Sequence, residues 1–242
     1  MPIKFPQLLQ ESWNFMQNQR QFTLFALSLL LTSQVLSVLV VGSHTAEPQP
    51  QPQTSPDQVS LFGVVPTMLL VCLNLFFNLL FILNIKEINQ GTYQSFFKNV
   101  SGALAKIFPA IGLHLLMIFP ISMGAAFYLS GGGLVALPLL VTGCWIFLKL
   151  CLSVYAYVID NRQGVMDSVK FSWQLTRGKM LPMMLFVIIA YFMPLVISNL
   201  LLKLGNNVAV IALSLIVSAI ISLFVTIFSF RFYQAICQQG QA

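Results

Sequence analysis

Six apolar runs, each long enough to cross a bilayer, constrain this chain more than any motif in it. They cover residues 22–41, 61–85, 107–129, 134–159, 181–202 and 208–230. About 20 apolar residues in a helix cross roughly 30 Å of hydrocarbon. A backbone N–H or C=O in lipid needs an internal partner, and a helix supplies one within the segment. The runs therefore predict an all-α integral membrane protein with six transmembrane helices, a single polytopic domain over residues 1–242. Composition agrees. Charged residues are 7% of the chain and hydrophobic ones 57%, with a mean hydropathy of +0.85. A soluble domain carries roughly 25% charged residues, so this chain lacks the polar side chains to cover itself in water.

The segments between the runs carry a second pattern. In residues 5–19, Phe5, Leu8, Leu9, Trp13 and Met16 fall on one helical face, with Gln7, Gln10, Glu11, Asn14 and Gln17 opposite. That is the arrangement of a helix lying in a membrane interface. Residues 92–105 and 165–178 read the same way. Val165–Pro182 is the longest charged stretch, with Asp167, Lys170, Arg177 and Lys179. The other connections read as turns at 130–133, 160–164 and 203–207. Ser43–Ser60 is a Pro/Gln-rich segment without Lys or Arg, predicted to be extended and solvated.

Basic residues set the expected orientation. With both termini in the cytoplasm, Lys4, Arg20, Lys86, Lys98, Lys106, Arg162, Lys170, Arg177, Lys179 and Arg231 lie on the inner side. Lys203 alone lies outside, and Lys149 falls within a run. This asymmetry follows the positive-inside rule. It also accounts for the net charge of +6 without nucleic acid, pointing instead to a bilayer containing anionic lipid.

The three amphipathic segments can be aligned. ALAKIFPAIGL (103–113) matches LTRGKMLPMML (175–185), placing Lys106 on Lys179 and Pro109 on Pro182. LLQESWNF (8–15) matches SVKFSWQL (168–175), placing Ser12-Trp13 on Ser172-Trp173. Three repeats of an amphipathic helix followed by two spans are therefore expected.

FSWQLTRGKMLP (171–182) and the late RFYQAIC (231–237) resemble the corresponding segments of the YciC-like family of bacterial inner-membrane proteins. The likeness extends over nearly the whole chain. It implies six spans and an inner-membrane location, and it transfers no active site. More distantly, 171–182 resembles a segment of membrane domains attached to some glycerophosphodiester phosphodiesterases, whose catalytic domain has no counterpart here.

Chemistry-bearing patterns are sparse. No nucleophile elbow, phosphate loop or dinucleotide fingerprint occurs. His44 and His114 lack companions at metal-ligand spacing. Cys72, Cys144, Cys151 and Cys237 are expected to be free thiols. No Asp or Glu falls in a run, which leaves no carboxylate relay. The expectation is a protein without catalytic residues, metal or cofactor.

Within the runs, Lys149, Asn74, Asn78 and His114 form a candidate polar site. An ionisable residue at that depth marks a candidate functional site, and the competing reading is a stem that snorkels to the cytoplasmic surface. Lys170, Trp173, Arg177 and Lys179 form a candidate cytoplasmic surface for lipid or for a membrane-protein partner. The expected role is structural, accessory or in envelope homeostasis. The alternative is a transporter or lipid-handling protein organised around Lys149.

Overall fold

The computed structural model describes residues 3–45, 61–160, 164–203 and 207–241. Most of the Pro/Gln-rich segment, and the centres of the turns expected at 160–164 and 203–207, lie outside the described residues.

Among the described residues the chain is all-helical, with no strand. Its α-helices are α1 (Phe5–Asn18), α2 (Arg20–Thr45), α3 (Leu61–Gln90), α4 (Val100–Phe127), α5 (Ala136–Leu150), α6 (Ser153–Ile159), α7 (Val165–Leu175), α8 (Met180–Val187), α9 (Met193–Leu202) and α10 (Val208–Gln241). Among the described residues, five helical stretches are long and apolar enough to cross a membrane: Arg20–Val40, Val65–Gln90, Phe96–Ile159, Met180–Leu201 and Val208–Gln239.

The stretch Phe96–Ile159 is 64 residues long and folds back on itself. The reversal uses Gly131 at φ 91° and Gly133 at φ 51°, a region glycine enters without a Cβ penalty. The returning helix then packs against the first at glycines. A Cβ on Gly124 would lie 2.9 Å from the Leu140 nitrogen, and one on Gly143 would lie 2.7 Å from the Pro120 carbonyl oxygen. Position 120 meets 143 while 124 meets 140, so α4 and α5 are antiparallel. Small residues permit this approach, which is how helices gain contact where water supplies no driving force.

Packing is concentrated at one end of the bundle. Phe22, Leu79–Ile82, Ile85, Leu150–Ala156, Phe186, Phe228 and Phe232 are buried there. Phe22 contacts the rings of Phe15, Phe81 and Phe96, and Phe186 stacks on Phe232 with ring centroids 4.4 Å apart. Away from this core, Leu69, Val71, Leu115, Phe119, Leu195, Leu200, Leu213 and Ile216 face outward. Such a surface suits hydrocarbon, where an outward Leu costs nothing.

Four features differ from the sequence expectation. The helix expected over 92–105 is not a separate element. Gly91 ends α3 at φ 68°, Phe96–Asn99 form one 3-10 turn, and Val100–Ala105 already belong to α4. Asn84 holds that turn, donating to the Phe96 carbonyl at 3.1 Å and accepting from the Asn99 amide at 3.2 Å. The run 134–159 breaks at Cys151–Leu152, between α5 and α6. There the Ser172 hydroxyl donates to the Lys149 carbonyl at 2.7 Å. The run 181–202 contains a π-helical turn at Ile188–Phe192, just ahead of Pro194, whose missing N–H and ring disfavour a regular continuation. Finally, α1 buries Leu8, Ser12, Phe15 and Met16 while Trp13 stays 49% exposed. The buried stripe is thus rotated from the expected one. Ser12 tolerates burial because its hydroxyl donates to the Leu8 carbonyl at 2.7 Å.

Candidate functional site

Lys149 lies where α5 ends, and α7 packs across it. Its side chain is only 9% exposed, and its ammonium donates to the Thr176 carbonyl at 3.1 Å. Thr176 is the residue at which α7 terminates. The last carbonyls of a helix have no partner within it, and the macrodipole makes that end negative. The Thr176 carbonyl also accepts from the Lys179 backbone N–H at 3.2 Å, so the ammonium takes its second lone pair and compensates the dipole. The Thr176 hydroxyl donates to the Ser172 carbonyl at 2.9 Å, which ties up the preceding turn.

Two tryptophans close the same junction. Trp145 and Trp173 meet edge to face, with ring centroids 5.0 Å apart. The Lys149 ammonium lies 6.0 Å from the Trp145 ring centroid, within range of a cation–π attraction. Trp173 remains 38% exposed, so one face of the pair stays open.

The lysine-to-carbonyl contact recurs around this end of the bundle. Lys86, near the end of α3, donates to the Ile159 carbonyl at 2.7 Å. Lys106, early in α4, donates to the Val158 carbonyl at 3.1 Å. Both carbonyls belong to the final turn of α6. Lys179, at the start of α8, donates to the Ile236 carbonyl near the end of α10, at 3.2 Å. Four lysines thus fasten helix ends to their neighbours. Tyr93, beside the end of α3, has its phenol pKa raised by burial and then by the Glu87 carboxylate.

This geometry separates the residues of the sequence-level site. Asn74 is exposed, donates to the Leu70 carbonyl at 3.0 Å and accepts from Ser33 at 3.4 Å. The His114 ring pairs with the Ala110 carbonyl one turn earlier, at 3.0 Å. Asn78 lines a cavity of about 190 Å³ with Ser198, Ser218, Ser222 and Thr226, beside Ala190 of the π-helical turn and Pro194. Among the described residues no hydrogen bond joins Lys149 to Asn74, Asn78 or His114. The Lys149 ammonium ends instead on the Thr176 carbonyl, at the end of α7.

The candidate surface divides as well. Lys170 and Arg177 are exposed, and Lys170 and Trp173 line a shallow depression of about 360 Å³ with Val169 and Gln174. Lys179 serves as an internal fastener. Sequence reasoning passed over Asn84, which is fully buried, and the pair formed by Tyr233 and Asp160, where the phenol donates to the carboxylate at 2.6 Å. The sequence offered a weak signal for the first, since an asparagine in an apolar run must find partners. For the second, only the R-F-Y ending stood out.

The array of helices has a relative of the same extent. An uncharacterized protein of Haemophilus influenzae is 24% identical over 242 residues, covering 96% of this chain and 98% of its own length. No family model matches the chain, and no solved structure matches it. The chain is therefore similar to an uncharacterized bacterial protein throughout its length, and its outward-facing apolar helices are those of a membrane-embedded protein.

Proposed function

We propose that this is a six-crossing protein of the bacterial inner membrane, with both termini cytoplasmic, that works by binding rather than catalysis. Its exposed α7 face holds anionic lipid headgroups at the cytoplasmic surface. The observation that carries this reading is the division of the basic residues around α7. Lys149 and Lys179 are engaged with carbonyls, whereas Lys170 and Arg177 stay exposed, Lys170 sharing a depression with Trp173. Tryptophan favours the headgroup zone, and each basic residue near an anionic surface contributes about 1 kcal/mol.

Six crossings follow from counting α4 and the α5–α6 pair separately, as their antiparallel packing supports. The positive-inside count supports the orientation, and the YciC-like resemblance supports the inner membrane. A repeated architecture has support in one geometric match. Lys106 and Lys179, aligned in the sequence, both reach a carbonyl near the end of the helix that closes their own unit, Val158 and Ile236 respectively.

The test is the lipid that stays with the full chain purified from membranes, read by native mass spectrometry. The double substitution Lys170→Gln, Arg177→Gln should lower retained phosphatidylglycerol and cardiolipin at unchanged thermal stability. A lipid profile equal to wild type would overturn the proposal. A second reading, lipid handling through an intramembrane polar site, draws support from the cavity at Asn78 and not from Lys149. Asn78→Leu should then abolish lipid movement in reconstituted vesicles, and movement at the wild-type rate would dismiss it.

A further inference from the structure

A groove of about 780 Å³ runs between α1 and the end of α10, with Lys4, Gln7, Glu11, Arg231, Gln234 and Gln238 among its walls. Its volume lies within the range of small-ligand sites, roughly 300–1,000 Å³. Arg231 follows directly on the last apolar run, 208–230, so the groove opens at the depth where lipid headgroups begin. The Arg231 guanidinium lies over the Phe15 ring, 5.6 Å from its centroid. Its Nε is buried and has no hydrogen-bond partner. A buried donor without an acceptor is costly, and an incoming acceptor would relieve it. Glu11, on the facing helix, accepts from Gln7 at 3.0 Å. Among the described residues Glu11 and Arg231 form no ion pair within 4.0 Å of each other, while the carboxylate lies near enough to act on the guanidinium charge. One groove therefore displays a cation and an anion on opposite walls, with amide side chains nearby.

We infer that this groove binds the zwitterionic headgroup of a phosphoethanolamine lipid. The phosphate accepts from Arg231, with Lys4 contributing charge at the groove's edge, and the headgroup ammonium donates to Glu11. The guanidinium fork matches phosphate oxygens. Glu11 disfavours an anionic headgroup that carries no amine, so the site selects for phosphatidylethanolamine over phosphatidylglycerol. The site is separate from the α7 face and does not depend on it.

The experiment titrates the full chain in detergent with short-chain phosphatidylethanolamine or phosphatidylglycerol, reading bound lipid by native mass spectrometry. Free phosphoethanolamine serves as a competitor. Wild type should prefer the ethanolamine lipid, and Arg231→Gln should weaken its binding about tenfold, the equivalent of one charge-assisted hydrogen bond. Glu11→Gln, at a partly exposed position, should reverse the preference toward phosphatidylglycerol. General damage would not produce that reversal. Lys170→Gln, Arg177→Gln should leave the ethanolamine preference intact, separating this site from α7. Equal binding of the two lipids by wild type, or an unchanged preference in Glu11→Gln, would overturn the inference. Stronger binding of free phosphoethanolamine than of the lipid would overturn the assignment to a membrane lipid.

Discussion

The Lys149 ammonium and the Thr176 carbonyl, 27 residues apart in the chain, meet at 3.1 Å in the buried junction between α5 and α7. The contact joins a charge inside an apolar segment to the end of an amphipathic helix. It makes Lys149 part of the frame that orients α7, with Trp145 and Trp173 alongside.

Replacing Lys149 with Met should therefore loosen α7 selectively. Losing a buried hydrogen bond to a charged group costs on the order of 1–3 kcal/mol. Residues 165–176 should exchange amide hydrogens faster, and the thermal midpoint should fall. Protection of that segment equal to wild type would show that the ammonium does not hold it.

The two asparagines of α3 should behave oppositely. Asn84 is fully buried and holds the turn at 96–99, whereas Asn74 is exposed. Asn84→Leu should cost about 1–3 kcal/mol through unpaired backbone and side-chain groups, and Asn74→Leu should be close to neutral in a bilayer. Equal thermal shifts for the two variants would contradict this ordering.

The α4–α5 crossing should tolerate no side chain at Gly143. A Cβ there would sit 2.7 Å from the Pro120 carbonyl oxygen, and the helices would have to part. Gly143→Leu should destabilise the hairpin by about 1–3 kcal/mol or more, as overpacking does. Gly112, with nothing within 4 Å of its Cβ position, provides the control. Gly112→Ala should be neutral or stabilising by up to about 1 kcal/mol. Unfolding in mixed micelles would compare the pair.

Tyr233→Phe should release the last helix from the end of α6. The phenol donates to Asp160 at 2.6 Å, while its ring stacks on Tyr155 at 6.2 Å between centroids. Phenylalanine keeps the stack and loses the hydrogen bond. The expected loss is about 1 kcal/mol, reduced by the exposure of Asp160 to solvent. A double-mutant cycle with Asp160→Asn would measure the coupling, and additive effects would rule out the bond as a stabilising contact.

Length and apolarity made the helices legible from the chain alone. A stretch such as 208–230 satisfies its backbone internally, so its helical state needs no information from elsewhere. The turn at Gly131–Gly133 was legible for the same local reason. The interruptions were not. The break at Cys151–Leu152 coincides with a hydroxyl from Ser172 on the Lys149 carbonyl. The 3-10 turn at Phe96–Asn99 depends on Asn84. In both, a side chain from another segment takes a backbone group that a longer helix would have used.

The polar residues divide along the same line. Composition and apolar runs determined that the chain is helical and embedded in a membrane, because those properties depend on neighbours in sequence. Which polar group is buried, and against what, was decided only by the tertiary structure. Lys149 meets Thr176, Lys86 meets Ile159, and Tyr233 meets Asp160, across 27, 73 and 73 residues. A helical wheel gives the direction of a side chain around its own axis, but not the height at which another helix ends beside it. That height determines whether a lysine finds a cavity, water or a carbonyl at a helix end.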